Sequence, residues 1–121
     1  MRTVILSAAL AAFSSGALAQ PIDSYRARLS KQDHYNSSGD ALISAATIIR
    51  QDRANFYVFG KLDPEDEYDT FFNDKANRAR LEKMLSRGSI SDSDVKSILN
   101  GTPLIRVDIH EEYVVVTIEE H

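Results

Sequence analysis

From Leu104 onward the apolar residues recur at every second position, and this period restricts the fold more than any other feature of the chain. Ile105, Val107 and Ile109 alternate with Arg106, Asp108 and His110, and Val114, Val116 and Ile118 alternate likewise. That is the pattern of strands with one buried face. Setting His110 opposite Tyr113 brings Ile109 to Val114, Val107 to Val116 and Ile105 to Ile118 on one side of an antiparallel hairpin. A one-residue slip would break that match. Glu111-Glu112 lacks the Gly or Asn of a tight primed turn, so a looser four-residue loop in the same register is expected. A lone hairpin is marginal in water, so helices must cover its apolar face.

Upstream the period is that of helices. Leu42, Ala45, Ala46, Ile49 and Phe56 share one sector of a helical wheel, which predicts an amphipathic helix over 39–59. Ser37 with Asp40 resembles its capping box, and Gly60 suits a left-handed C-terminal cap. Asp63-Pro64-Glu65-Asp66 reads as a second helix start, with Tyr68, Phe71 and Phe72 as its buried side. A further helix over 75–87 has Leu81, Met84 and Leu85 as its apolar face and Gly88 as its stop. Ile90-Ser91-Asp92-Ser93-Asp94-Val95 combines a cap, its reciprocal acid and a hydrophobic staple, which predicts a helix over 92–99 ended by Asn100-Gly101 and Pro103. Residues 20–38, where Ile22, Tyr25 and Leu29 are sparse, suggest a loose N-terminal arm. The expected architecture is therefore α+β: three to four helices followed by a C-terminal two-stranded antiparallel β-hairpin packed on them, forming one small globular domain over 39–121.

Residues 1–19 read as a cleavable signal peptide, with Arg2 before an apolar run from Val4 to Phe13 and a small-x-small site at Ala17-Leu18-Ala19. The apolar run falls well short of the roughly 20 residues a spanning helix needs, so a product without membrane insertion, periplasmic or secreted, is expected. Losing Arg2 takes the formal charge from −4 to −5, which argues against nucleic acid as the partner, because that binding displaces counterions with positive charge. The chain has no cysteine, which excludes thiol catalysis, disulfide exchange and Cys-ligated zinc. Asn36-Ser37-Ser38 and Asn100-Gly101-Thr102 match the N-glycosylation triplet, which matters only in a eukaryotic host.

Arg53 falls in the middle of the apolar sector of the first helix, and a charge there needs a partner. Two readings follow: a pair with acids of the segment 63–69, or an anion-binding arginine at a pocket rim. Asp63, Glu65, Glu67 and Asp69 occupy alternate positions, but the Gly and Glu of a calcium loop are missing. Lys75, Arg78, Arg80, Lys83 and Arg87 read as a solvated basic face with local pairing. Asp108 and His110 lie two apart on the hairpin's outward face, where acid–base or ligand-binding work is conceivable beside the ordinary role of solvated positions. No phosphate loop, nucleophile elbow, dinucleotide fingerprint or metalloprotease helix is present, and no cofactor or metal is implied. The expectation is an exported, non-catalytic interaction module for a protein or envelope component. The alternative is a small-ligand, anion-binding or hydrolytic protein with its site near Arg53 or Asp108 and His110.

Overall fold

The computed structural model describes residues 19–121, so the export segment read at 1–19 lies, apart from Ala19, outside the described residues. Within them the chain is α+β, with four α-helices and a three-stranded antiparallel sheet. Strands β2 (Leu104–Ile109) and β3 (Val114–Glu120) form the hairpin, with Ile109 facing Val114, Val107 facing Val116 and Ile105 facing Ile118. The alternation demanded this register. The His110 N–H donates to the Tyr113 carbonyl at 2.8 Å to close the loop.

The sheet has a third strand, which corrects the two-stranded expectation and the reading of 20–38 as a loose arm. Strand β1 (Asp23–Arg28) runs antiparallel to β2, Tyr25 against Val107 and Ala27 against Ile105. Tyr25, Ala27 and Leu29 alternate with Arg26 and Arg28, and all three are buried. The stretch is short and one inward position is only a methyl group, so its period is faint until the partner strand is known.

The expected helix start at Asp63-Pro64 is also corrected. Residues 66–69 run extended along the outer edge of β1, where the Arg26 N–H donates to Glu67 Oε1 and the Arg28 N–H to Asp66 Oδ1, each at 2.8 Å. The Glu67 N–H returns a bond to the Arg26 carbonyl at 2.9 Å. Edge N–H groups need acceptors, and carboxylates supply them here in place of another strand.

Helix α1 (Ala45–Ala54) starts later than the wheel suggests, because Gly39 adopts φ 87° in a turn organised by Asn36. The Asn36 Oδ1 accepts the Ser38 and Asp40 N–H groups, and Ser44 caps the helix by accepting the Thr47 N–H at 3.2 Å. Beyond Ala54 the helix widens into a π turn (Asn55–Phe59), closed by Gly60 at φ 69°. The basic helix is broken at Arg80 into α2 (Lys75–Ala79), capped by Asp74, and α3 (Leu81–Arg87). Helix α4 (Asp92–Asn100) has the cap its motif specifies, with Ser91 Oγ accepting the Asp94 N–H at 3.1 Å.

The helices contribute Ile48 and Ile49, Leu81 and Met84, and Ile98 to one core with the inward face of the sheet. Where α3 ends, Ser89 bonds to Val114 and Val116 on the free edge of β3. The chain crosses so closely there that a Cβ on Gly88 would lie 1.7 Å from the Val114 carbonyl oxygen. Among the described residues no helix is long and apolar enough to cross a membrane.

Candidate functional site

Arg53 is fully buried. Its Nη1 donates to Asp69 Oδ1 and to the Glu67 carbonyl, both at 2.9 Å, and its Nε donates to Asp52 at 3.1 Å. The guanidinium lies 3.9 Å from the Tyr25 ring centroid and 4.6 Å from that of Phe56, a stacked arrangement that suits its planar, weakly hydrated charge. Burial works against the charge, but Tyr25 and the carboxylates of Asp52 and Asp69 outweigh it and hold the arginine above its ordinary pKa. Burial also pushes the Tyr57 hydroxyl up to about 12; that hydroxyl donates toward Asp69 and accepts the Asp69 N–H. Arg53, Asp69 and Tyr57 therefore pin the segment 66–70 to α1.

Asp108 and His110 are not brought together. Asp108 accepts from Ser24 Oγ at 2.7 Å and from Arg106 Nε at 3.0 Å, which makes it part of the polar row across the outer face of the sheet. The His110 ring stacks flat on Tyr113 at 4.3 Å. Among the described residues no cluster of three or more His, Asp or Glu is placed to hold a metal ion.

A different acid is strongly perturbed. Asp33, in the 3₁₀ turn Lys31–His34, is fully buried, accepting from Asn55 Nδ2 at 2.8 Å and from the Ser30 N–H at 3.0 Å. Burial raises its pKa from 3.8 to about 6, despite the bonds from Asn55 and Ser30 that favour the charge. On the same turn His34 spans from the Ser30 carbonyl to the Ile98 carbonyl at 2.9 and 2.8 Å, tying the turn to α4. Both groups fix the loop that follows them.

That loop, the exposed side of α1 with its π turn, and the start of α2 enclose three adjoining hollows of about 380, 420 and 270 Å³. Neighbouring hollows share Asn36, Ser37 and Gln51 on one side and Arg50, Ala54 and Lys75 on the other, while Phe59 lines all three. They form one groove. Val58 and Phe59 are 57% and 49% exposed at its rim, two adjacent bulky apolar groups facing the hollows. The chain has 18 acidic residues, yet no carboxylate lines any of the three hollows, whereas Arg50, Lys61, Lys75 and Arg78 do.

Those four cations form no ion pair among the described residues, although Arg26, Arg28, Arg80, Arg87 and Arg106 all do. The remaining unpaired lysines, Lys31, Lys83 and Lys96, sit on separate elements. The sequence reading missed this groove, although one signal pointed to it. On the wheel Val58 falls opposite the apolar sector, in line with Arg50 and Ala54 at helical spacing, with no acid among them. Comparison with protein-family models, with curated proteins and with solved structures finds no match for this chain.

Proposed function

We propose that the chain is an exported, non-catalytic module that binds a protein or envelope component through the groove along α1. The observation that carries the reading is the acid-free groove, with its exposed aromatic rim and unpaired cations, on a chain that is otherwise acidic. Exposed apolar groups beside uncompensated charge are what a recognition surface offers. The π turn supports it, since such widened turns are frequent at functional sites. The apolar run in residues 1–19 supports the export half of the proposal.

Site-specific photocross-linking tests the groove directly. A photoreactive residue at Val58 should give a discrete covalent adduct in the envelope fraction or medium of the producing cells, and one at Lys96 on α4 should not. No adduct from Val58, or the same adducts from both positions, would overturn the assignment.

A further inference from the structure

We infer that the groove accepts an acidic segment of a protein partner, in which carboxylate side chains flank one bulky apolar side chain. The inference rests on the groove being the binding face and goes on to name what it takes. At the α2 end, Ala54, Val58 and Phe59 line a hollow beside Arg50, Lys75 and Arg78, the last buried and donating to the Phe72 carbonyl at 2.9 Å. Ala54 is small, so the hollow is open above the helix surface, and Arg50 and Lys75 stand where an entering side chain's neighbours would lie. Asp74, the acid nearest in sequence to Lys75, is engaged in capping α2 through the Ala76 N–H at 2.7 Å. Among the described residues Arg50 and Lys75 pair with no carboxylate, and an acidic partner supplies the missing charge.

The polar groups at the other end argue against a sugar as the occupant. A glycan needs hydrogen-bonding side chains that are free to turn to its hydroxyls, and three of the four amides that line this end, Asn36, Gln51 and Asn55, are engaged with their own chain. Asn36 Oδ1 holds two backbone N–H groups of its own turn. Asn55 donates to Asp33 and accepts from Gln51 at 3.0 Å. Apolar contact and charge remain, and a side chain flanked by carboxylates satisfies both. Because the chain as a whole carries a net negative charge, an acidic partner gains most where cations stand without carboxylates, as they do along this groove.

Fluorescence anisotropy tests the chemistry with a labelled peptide bearing glutamates around a central phenylalanine. The protein should bind it, bind weakly or not at all to the same peptide with lysines in place of glutamates, and lose affinity as salt rises from about 0.05 to about 0.5 M. Lys75→Glu and Arg50→Glu should each weaken binding roughly tenfold, since each reverses a contact worth about a kcal/mol, with circular dichroism showing that the variants stay folded. Equal binding of the lysine peptide, indifference to both charge reversals, or no binding of the acidic peptide would overturn the inference. Binding of an acidic oligogalacturonate in preference to the peptide would overturn it in favour of a glycan. In any of these cases a persistent adduct from Val58 shows that the groove is the binding face while its chemical class is not the one inferred.

Discussion

Replacing Asp33 by asparagine should stabilise the fold at neutral pH and flatten its dependence on pH. The carboxyl is fully buried, and its pKa stands at about 6 in the fold against 3.8 in an open chain. A difference of about two units corresponds to about 3 kcal/mol. The folded state therefore holds a proton between about pH 4 and 6 that the unfolded state has already released. The stabilisation is fully present below the unfolded pKa and is lost as pH rises through the folded one. Asparagine mimics the protonated acid but offers one acceptor fewer, a loss of about 1 kcal/mol. The net gain near pH 7.5 is then about 2 kcal/mol.

Urea unfolding followed by far-UV circular dichroism suits a chain with no tryptophan. With a slope of about 1.5 kcal/mol per molar urea, the midpoint at neutral pH should rise by more than about 1 M in Asp33→Asn, and the two proteins should converge near pH 4. Burial also raises the pKa values of Asp52 and Asp66, so the wild type has further slope of its own. The difference between the two proteins isolates Asp33. A lower midpoint for the variant at neutral pH, or parallel curves across pH 4 to 6, would refute the reasoning.

Three further outcomes are expected. Arg53→Ala leaves Asp69 and Asp52 buried without their cation and should destabilise by about 3–5 kcal/mol; a melting temperature within a few degrees of the wild type would contradict the network described. Gly88→Ala places a methyl group against the Val114 carbonyl, 1.7 Å away before any relaxation, and should cost about 1–3 kcal/mol or more, read as a lower thermal midpoint. Glu67→Ala removes the acceptor of the Arg26 N–H. Hydrogen exchange at that amide should accelerate while the Val107 amide, in the central strand, keeps its protection; unchanged exchange at Arg26 would mean that the carboxylate does not seal the edge.

The parts of the fold legible in the sequence are those whose determinants lie close together or repeat. The hairpin register follows from six apolar residues that have only one mutual alignment, and α4 from a cap and staple contained in six consecutive positions. Asp63-Pro64 misled because a local signal for a helix start was overridden at long range. Its acids answer the unpaired N–H groups of β1, which lies far back in the chain. β1 itself was hidden by Ala27, which buries well beside Ile105 but contributes little to an apolar period. Arg53 announced that it needed a partner, and the partner, Asp69, lies in the segment where acids are densest. The groove was not legible, because it joins residues of 35–39, of α1 and of α2 that only the turn at Gly39 and the π turn bring side by side.

The π turn at Asn55–Phe59 separates two properties that usually travel together in a helix, the order of its residues and the direction they point. With ~4.4 residues per turn in place of 3.6, each step advances about 18° less, so by its fourth step the helix lags by about 70°. On an unbroken α-helix that lag vanishes, and Phe59 swings from the groove toward the margin of the core. The backbone, by one extra residue, holds an aromatic ring in water that its own hydrophobicity would draw inward. Chain length at this turn is therefore a control on the surface that is independent of side-chain identity. Substituting Phe59 alters what the groove contacts and spares the fold, whereas removing a single neighbour would withdraw the ring without changing it.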